Sequence, residues 1–321
     1  MTMNSDELPE YDDLFISSTG PAGTAWGLFG NDVGTLNLIS AQMLVRAAQE
    51  VRRGVVFSLN LETTLPDPPI LGRGTLKHHR IELDDGGWDD YYDSFYPQAS
   101  SQWDSLGHCR HPEVGFYQGY DSAAVTDSTT PALGIEQWSQ RGIAGRFVLV
   151  DVAGHLARRG TPLDASKSFG IHPELLEEVL TAQESIIEPG DILLLNTGWT
   201  RWYRTLAPQA RQRLADQGED LATPGLDPGE ATVRWLWNRK IAAIAADCPA
   251  VERMPFDKGS EDSFLHIRLI PKLGFALGEL FDLEQLAADC ETDGRYHGLF
   301  VAAPLNTPGG AGSPANALVL K

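Results

Sequence analysis

Three apolar runs decide the fold class: "RFVLVDVAG" at 146–154, "PGDILLLNTGW" at 189–199 and "KIAAIAADCPA" at 240–250. Each is about the length of a strand, each lacks the 3.6-residue polar spacing of a surface helix, and each reaches a polar residue at its end, Asp151, Asn196 or Asp247. They read as strands buried on both faces. Between them lie helix-patterned stretches, "IHPELLEEVLTAQ" before the second run and "DPGEATVRWLWNRK" before the third. In the latter, Asp227 and Glu230 stand at capping-box spacing with Pro228 at the first helical position. Strand and helix alternate, so the class is α/β.

Working outward, "SAQMLVRAAQEVRRG" predicts a helix capped by Ser40 and stopped by Gly54. "DLEQLAADC" predicts another, opening at Asp282 with Gln285 three positions on. Residues 61–95 carry Pro and Gly punctuation with scattered aromatics and predict long loops with short strands. "FVAAPLNTPGGAGSPANALVL" predicts a strand, a Gly/Pro-rich loop and a second strand that closes the sheet.

With 321 residues and 42% hydrophobic composition the chain can bury a large core. A formal net charge of -19 and the lack of clustered Lys and Arg argue against a nucleic-acid partner. Cys109, Cys248 and Cys290 show no C-x-x-C spacing and cannot all pair with one another, so neither a disulfide framework nor a cysteine zinc site is expected. About 18 apolar residues nowhere run together, and "MTMNSDELPEYDD" is acidic and lacks a basic region followed by an apolar stretch, so a soluble, cytoplasmic protein is expected. The chain has no G-x-S-x-G elbow, P-loop, G-x-G-x-x-G turn or H-E-x-x-H motif.

Chemistry-bearing residues concentrate in "PQASSQWDSLGHCRHP" at 97–112. Gln98 and Gln102 are four apart, Asp104 follows two later and His108 four after that, spacings that let a turn followed by a strand gather the four side chains. Carboxylate and amide oxygens with one imidazole suit a hard cation, but the same residue types also fill ordinary turns. His111 reads as a solvated or supporting group, and a Cys109–His111 thiol pair has no further support. In "LHIRLIPKLGFALGELF", His266 precedes Glu279 by thirteen residues; a carboxylate among apolar neighbours is costly unless it is paired, hydrogen-bonded or metal-bound. Trp88, Tyr91, Tyr92, Phe95 and Trp103 are candidates either for an aromatic substrate face or for core packing.

The frame Gln98-x-x-x-Gln102-x-Asp104-x-x-x-His108 resembles the H-x-G-T-H-x-D-x-P-x-H hallmark of the cyclase family that includes bacterial kynurenine formamidases and isatin hydrolase. "WGLFGNDVGTLNLIS", "GFYQG", "RFVLVDVAG", "PGDILLLNTGW", "AADCPAVE", "ALGELFDLEQLA" and "VAAPLNTPGGAGSPAN" resemble family blocks in family order, from about residue 25 to the end. The resemblance implies a swivelling β/β/α-type cyclase fold, a mixed sheet with flanking helices, as one domain over 25–321 preceded by an N-terminal extension over 1–24. It implies a homodimer or homotetramer acting on a small-molecule substrate.

Carried over by position, the resemblance implies Asp104 as the central metal ligand, with Gln98 and Gln102 where the family has histidines. His108 matches the last motif histidine, a ligand or acid/base group; Glu279 matches a later ligand with a share in catalysis, and His266 a proton-transfer or ligand histidine. Leu106 replaces the motif proline. The two glutamines shift preference toward harder ions, Mn2+ ahead of Zn2+ or Mg2+, and leave open a site without metal. "SQWD" resembles a longer-chain branch that carries T-Q-W-D where the formamidases carry T-H-x-D. The expected activity is a cyclase-family hydrolase opening an amide, lactam or lactone with metal-activated water. The alternatives are a metal-independent lyase, dehydratase or ring-closing enzyme using the same pocket for acid/base chemistry, and a binding module without turnover.

Overall fold

A computed structural model of the chain describes residues 8–30 and 32–321. The first seven residues of the expected N-terminal extension, and Asn31 within "WGLFGNDVGTLNLIS", lie outside the described residues. Thirteen strands form among those described: β1 (Val56–Ser58), β2 (Lys77–Glu82), β3 (Trp88–Asp93), β4 (Gln102–Asp104), β5 (Ile143–Asp151), β6 (Phe169–Ile171), β7 (Ile192–Asn196), β8 (Pro224–Leu226), β9 (Ala243–Ala246), β10 (Ala276–Glu279), β11 (His297–Ala302), β12 (Gly312–Pro314) and β13 (Ala317–Leu320). Nine of them make one mixed sheet in the order β1-β13-β11-β5-β7-β9-β10-β4-β12.

The three apolar runs are β5, β7 and β9, adjacent and parallel, with Asp151 opposite Asn196 and Leu195 opposite Ala246. Their residues from Phe147 to Val150, Leu193 to Leu195 and Ala243 to Ala246 are buried, as a parallel strand covered on both faces requires. β10 continues the parallel set beside β9. Antiparallel strands close both flanks: β11, β13 and β1 on one side, β4 and β12 on the other. The expected mixed sheet with flanking helices is thus observed, and the C-terminal segment supplies β11, β12 and β13 to it.

The helix expected after Ser40 spans Ala41–Ala48, and the Ser40 hydroxyl accepts from the Met43 amide at 3.2 Å. It ends one turn earlier than the Gly54 signal implied; Gly54 instead turns the chain, at φ +69°, toward β1. The capping boxes expected at Asp227 and Asp282 do not form. The helix Glu230–Asn238 is preceded by Gly229, while Asp227 accepts from the Gly229 amide at 3.0 Å in a local turn. The helix Glu284–Asp293 follows Leu283, and Asp282 is drawn off into an ion pair with Arg204.

Leu8, Tyr11 and Leu14 pack into the same core as the central strands. Trp103 lies fully buried against Trp138, Phe281 and Phe300 with edge-on ring contacts at 5.3 to 6.3 Å between centroids. No helix among the described residues is long and apolar enough to cross a membrane.

Candidate metal and acid/base centre

The centre is built on the edge where β4 pairs antiparallel with β10. In this register Gln102 stands opposite Glu279, Trp103 opposite Gly278 and Asp104 opposite Leu277. Side chains alternate along a strand, so Trp103 enters the core while Gln102 and Asp104 share the opposite face with Glu279. The one-turn 3-10 segment Pro97–Ala99 precedes β4 and brings in Gln98. Gly312 of β12 makes room for it: a β-carbon there would stand 2.9 Å from the Gln98 side chain and 2.8 Å from the Trp103 carbonyl oxygen. His266 opens the helix His266–Leu273, which leads directly into β10.

All six residues singled out from the sequence, Gln98, Gln102, Asp104, His108, His266 and Glu279, converge here. The Gln98 amide nitrogen donates to Asp104 Oδ1 at 3.1 Å and to His108 Nδ1 at 2.8 Å. Gln98 thus turns its nitrogen, not its oxygen, toward the cluster. The Gln102 amide donates to Glu279 Oε2. His266 Nε2 lies 3.0 Å from Glu279 Oε1 and 3.7 Å from Asp104 Oδ2. The rings of His108 and His266 stand 6.4 Å apart.

The sequence reasoning passed over Glu252, which lies in the quoted block "AADCPAVE". Fully buried, it places both carboxylate oxygens 2.8 Å from His266 Nδ1 and also accepts from the His266 backbone amide at 3.3 Å. Phe264 stacks on the other dimension of the ring, its plane 13° from that of His266. A signal was present, since a glutamate just after a buried apolar run needs a partner. Its partner is a tertiary one, which spacing does not reveal.

Electrostatics set the protonation pattern. Burial opposes the charge on Asp104, but the His108 and His266 imidazoles and the Gln98 amide outweigh it and hold the carboxyl down at about 2. Burial likewise opposes a charged His266, yet Glu252, Asp104 and Glu279 together keep the imidazole protonated well above its ordinary range. Glu279 is pushed up by burial and by the charge of Asp104. Three buried carboxylates against one imidazolium leave a negative excess that a protein interior tolerates poorly unless a proton or a cation offsets it.

The donor set fits a cation. Asp104, His266 and Glu279 each offer a ligand atom, all within 4.8 Å of one another, and they are the one such group of three or more among the described residues. Gln102 Oε1 and Asp104 Oδ2 are buried with no hydrogen-bond partner, which leaves two oxygens unsatisfied at the same place. Glu252, bonded to Nδ1, leaves Nε2 of a neutral His266 with its lone pair free, the arrangement found around metal-bound histidines.

Neighbouring candidates fall outside the centre. His111 is buried and bonds Glu261 at 2.6 Å, with its Nδ1 accepting from the amides of Glu113 and Val114, so it braces a turn. Burial pushes the Cys109 thiol up to about 12, which removes a ready thiolate. Of the five aromatic residues considered for a substrate face, Trp103 is core, while Trp88, Tyr91, Tyr92 and Phe95 are exposed on and beside the β2–β3 hairpin. The aromatic wall of the cavity beside the centre comes instead from Phe256 and Phe264.

Similarity to known proteins agrees with this architecture. The structure resembles the crystal structure of a novel cyclase, with a TM-score of 0.80, 31% identity, and coverage of 93% of this chain and 97% of that one. It also resembles an isatin hydrolase bound to the product analogue thioisatinate (TM-score 0.59, 18% identity, 88% and 99% covered). Isatin hydrolase A from Ralstonia solanacearum gives a TM-score of 0.60 at 16% identity, with 88% and 95% covered. At those identities the two hydrolases share the fold. No curated protein matches the chain. The Cyclase family model, described as "Putative cyclase", matches residues 48–253, and the chain belongs to the cyclase family.

Proposed function

We propose that the chain is a metal-dependent hydrolase that opens an amide, lactam or lactone bond of a small substrate. The observation that carries this reading is the buried group of Asp104, His266 and Glu279 beside the unsatisfied oxygens of Gln102 and Asp104. These residues would hold a divalent cation, Mn2+ by the balance of oxygen to nitrogen donors. When bound, such a cation acidifies water and polarises a carbonyl.

The remaining steps belong to the chain. Asp104, kept ionised, supplies fixed negative charge on one side of the pocket, and that charge together with burial holds Glu279 above the ordinary carboxyl range, disposed to accept a proton. Glu252 locks the orientation of His266 through Nδ1. His108 lines the cavity, and its Nδ1 accepts from Gln98, so in the neutral ring Nε2 carries the proton. His108 therefore donates its Nε2–H toward the substrate carbonyl oxygen, and Glu279 is the proton carrier: it takes a proton from the attacking water and returns it to the leaving nitrogen or oxygen.

A second reading, acid/base elimination or ring closure without metal, is favoured by one feature: Glu279 is already bonded by both Gln102 and His266. Chelation separates the two. Turnover of cyclic amides or esters that is lost on removal of divalent ions and restored by Mn2+ supports the hydrolase; turnover that survives chelation overturns it in favour of the second reading.

A further inference from the structure

The cavity beside the centre has a volume of about 160 Å³, and its lining includes Leu71, Arg73, His108, Met254, Phe256 and Phe264. That is close to the size of a cavity that admits a benzene ring. Its walls are largely apolar apart from the centre itself and the charged residues Arg73, Lys258 and Glu219. Lys258 and Glu219 are paired with each other and exposed.

Arg73 is different. Delivered by the loop between β1 and β2, it forms no ion pair among the described residues. Its Nη1 is buried with no acceptor. In a chain with a formal charge of -19, where Arg146, Arg204 and Arg268 each pair with a carboxylate, an unpaired guanidinium lining a pocket has been left without the partner its chemistry calls for. Arg73 and Glu279 line the same cavity. A guanidinium presents parallel N–H donors that match the two oxygens of a carboxylate.

We propose that Arg73 receives a carboxylate carried by the substrate, so that the site takes small, ring-sized amides or esters bearing an anionic group. The proposal rests on the hydrolase reading for the location of the scissile bond, but not for the recognition of the anion. Benzoate and benzamide, equal in shape and different in charge, are suitable probes in calorimetric titration of the Mn2+-loaded full chain. Wild type is expected to bind benzoate about tenfold or more tighter than benzamide. Arg73→Gln abolishes that preference and leaves benzamide unchanged. Arg73→Lys keeps the charge, loses the fork and gives an intermediate preference, which carries the test if the glutamine variant does not fold.

Equal binding of the two probes by wild type, failure of both to bind, or a benzoate preference that survives Arg73→Gln would each overturn the proposal, the last by assigning the carboxylate to the cation instead. Metal content measured on the same samples keeps the two claims apart. A wild-type protein that takes up no metal but loses its benzoate preference on Arg73→Gln contradicts the hydrolase reading while upholding this one.

Discussion

Replacing Glu252 with glutamine should weaken Mn2+ binding by an amount that grows with pH. The carboxylate holds His266 Nδ1 with both oxygens at 2.8 Å in a fully buried setting. Glu252→Gln preserves shape and removes the charge, and a buried hydrogen bond to a charged group is worth about 1.5–3 kcal/mol. That corresponds to roughly 10- to 100-fold in affinity, the range also typical for loss of a group that orients a metal-bound histidine. An opposing effect acts at low pH. Glu252 is also the chief group that holds a proton on His266, and that proton competes with the cation. Removing Glu252 relieves the competition, so the deficit should be smallest at the acid end of a pH series and approach its full size as the wild-type imidazole loses its proton. Competition with a chromophoric chelator across this range, with circular dichroism to verify folding, measures it. A folded variant that binds Mn2+ within about threefold of wild type at every pH in the series would refute the role given to Glu252.

Two further outcomes follow from the same geometry. Metal uptake should release protons, because both His266 and Glu279 hold theirs above the ordinary range; affinity therefore falls as pH falls, and titrations in two buffers of different ionisation enthalpy should differ by the released protons, whereas identical heats would contradict this. Gln98→Ala should retain the metal but lower turnover by about tenfold or more, since Gln98 gives its nitrogen to Asp104 and His108 and orients the latter; loss of metal in this variant would make Gln98 a ligand instead.

The parallel strands β5, β7 and β9 were legible because burial on both faces forces nearly unbroken apolar runs. β4 was not recognisable as a strand of its own: three residues carry too little pattern, and its place between β10 and β12 depends on contacts distant in sequence. Its spacing still betrayed the site, since Gln102 and Asp104 are two apart and must share a face if the segment is extended. Asp227 and Asp282 stood at capping spacing, yet their carboxylates found a closer turn amide and an arginine, competitors invisible to a local motif. The same limit hid Glu252, whose meaning arises only when the helix that begins at His266 is folded against it. Gln98 shows the reverse case: its presence in the frame was readable, but which end of its amide faces the cluster depended on the two acceptors awaiting it.

The central claim is that Asp104, His266 and Glu279 form a cation site. The most direct test is elemental analysis of the purified chain after dialysis against Mn2+ and removal of free ion, with Asp104→Ala beside it. The account predicts about one ion per chain in wild type and almost none in a folded Asp104→Ala protein, because that substitution removes the one carboxylate held ionised at the heart of the group. Wild-type protein without stoichiometric metal, or a variant that retains it in full, would contradict the claim.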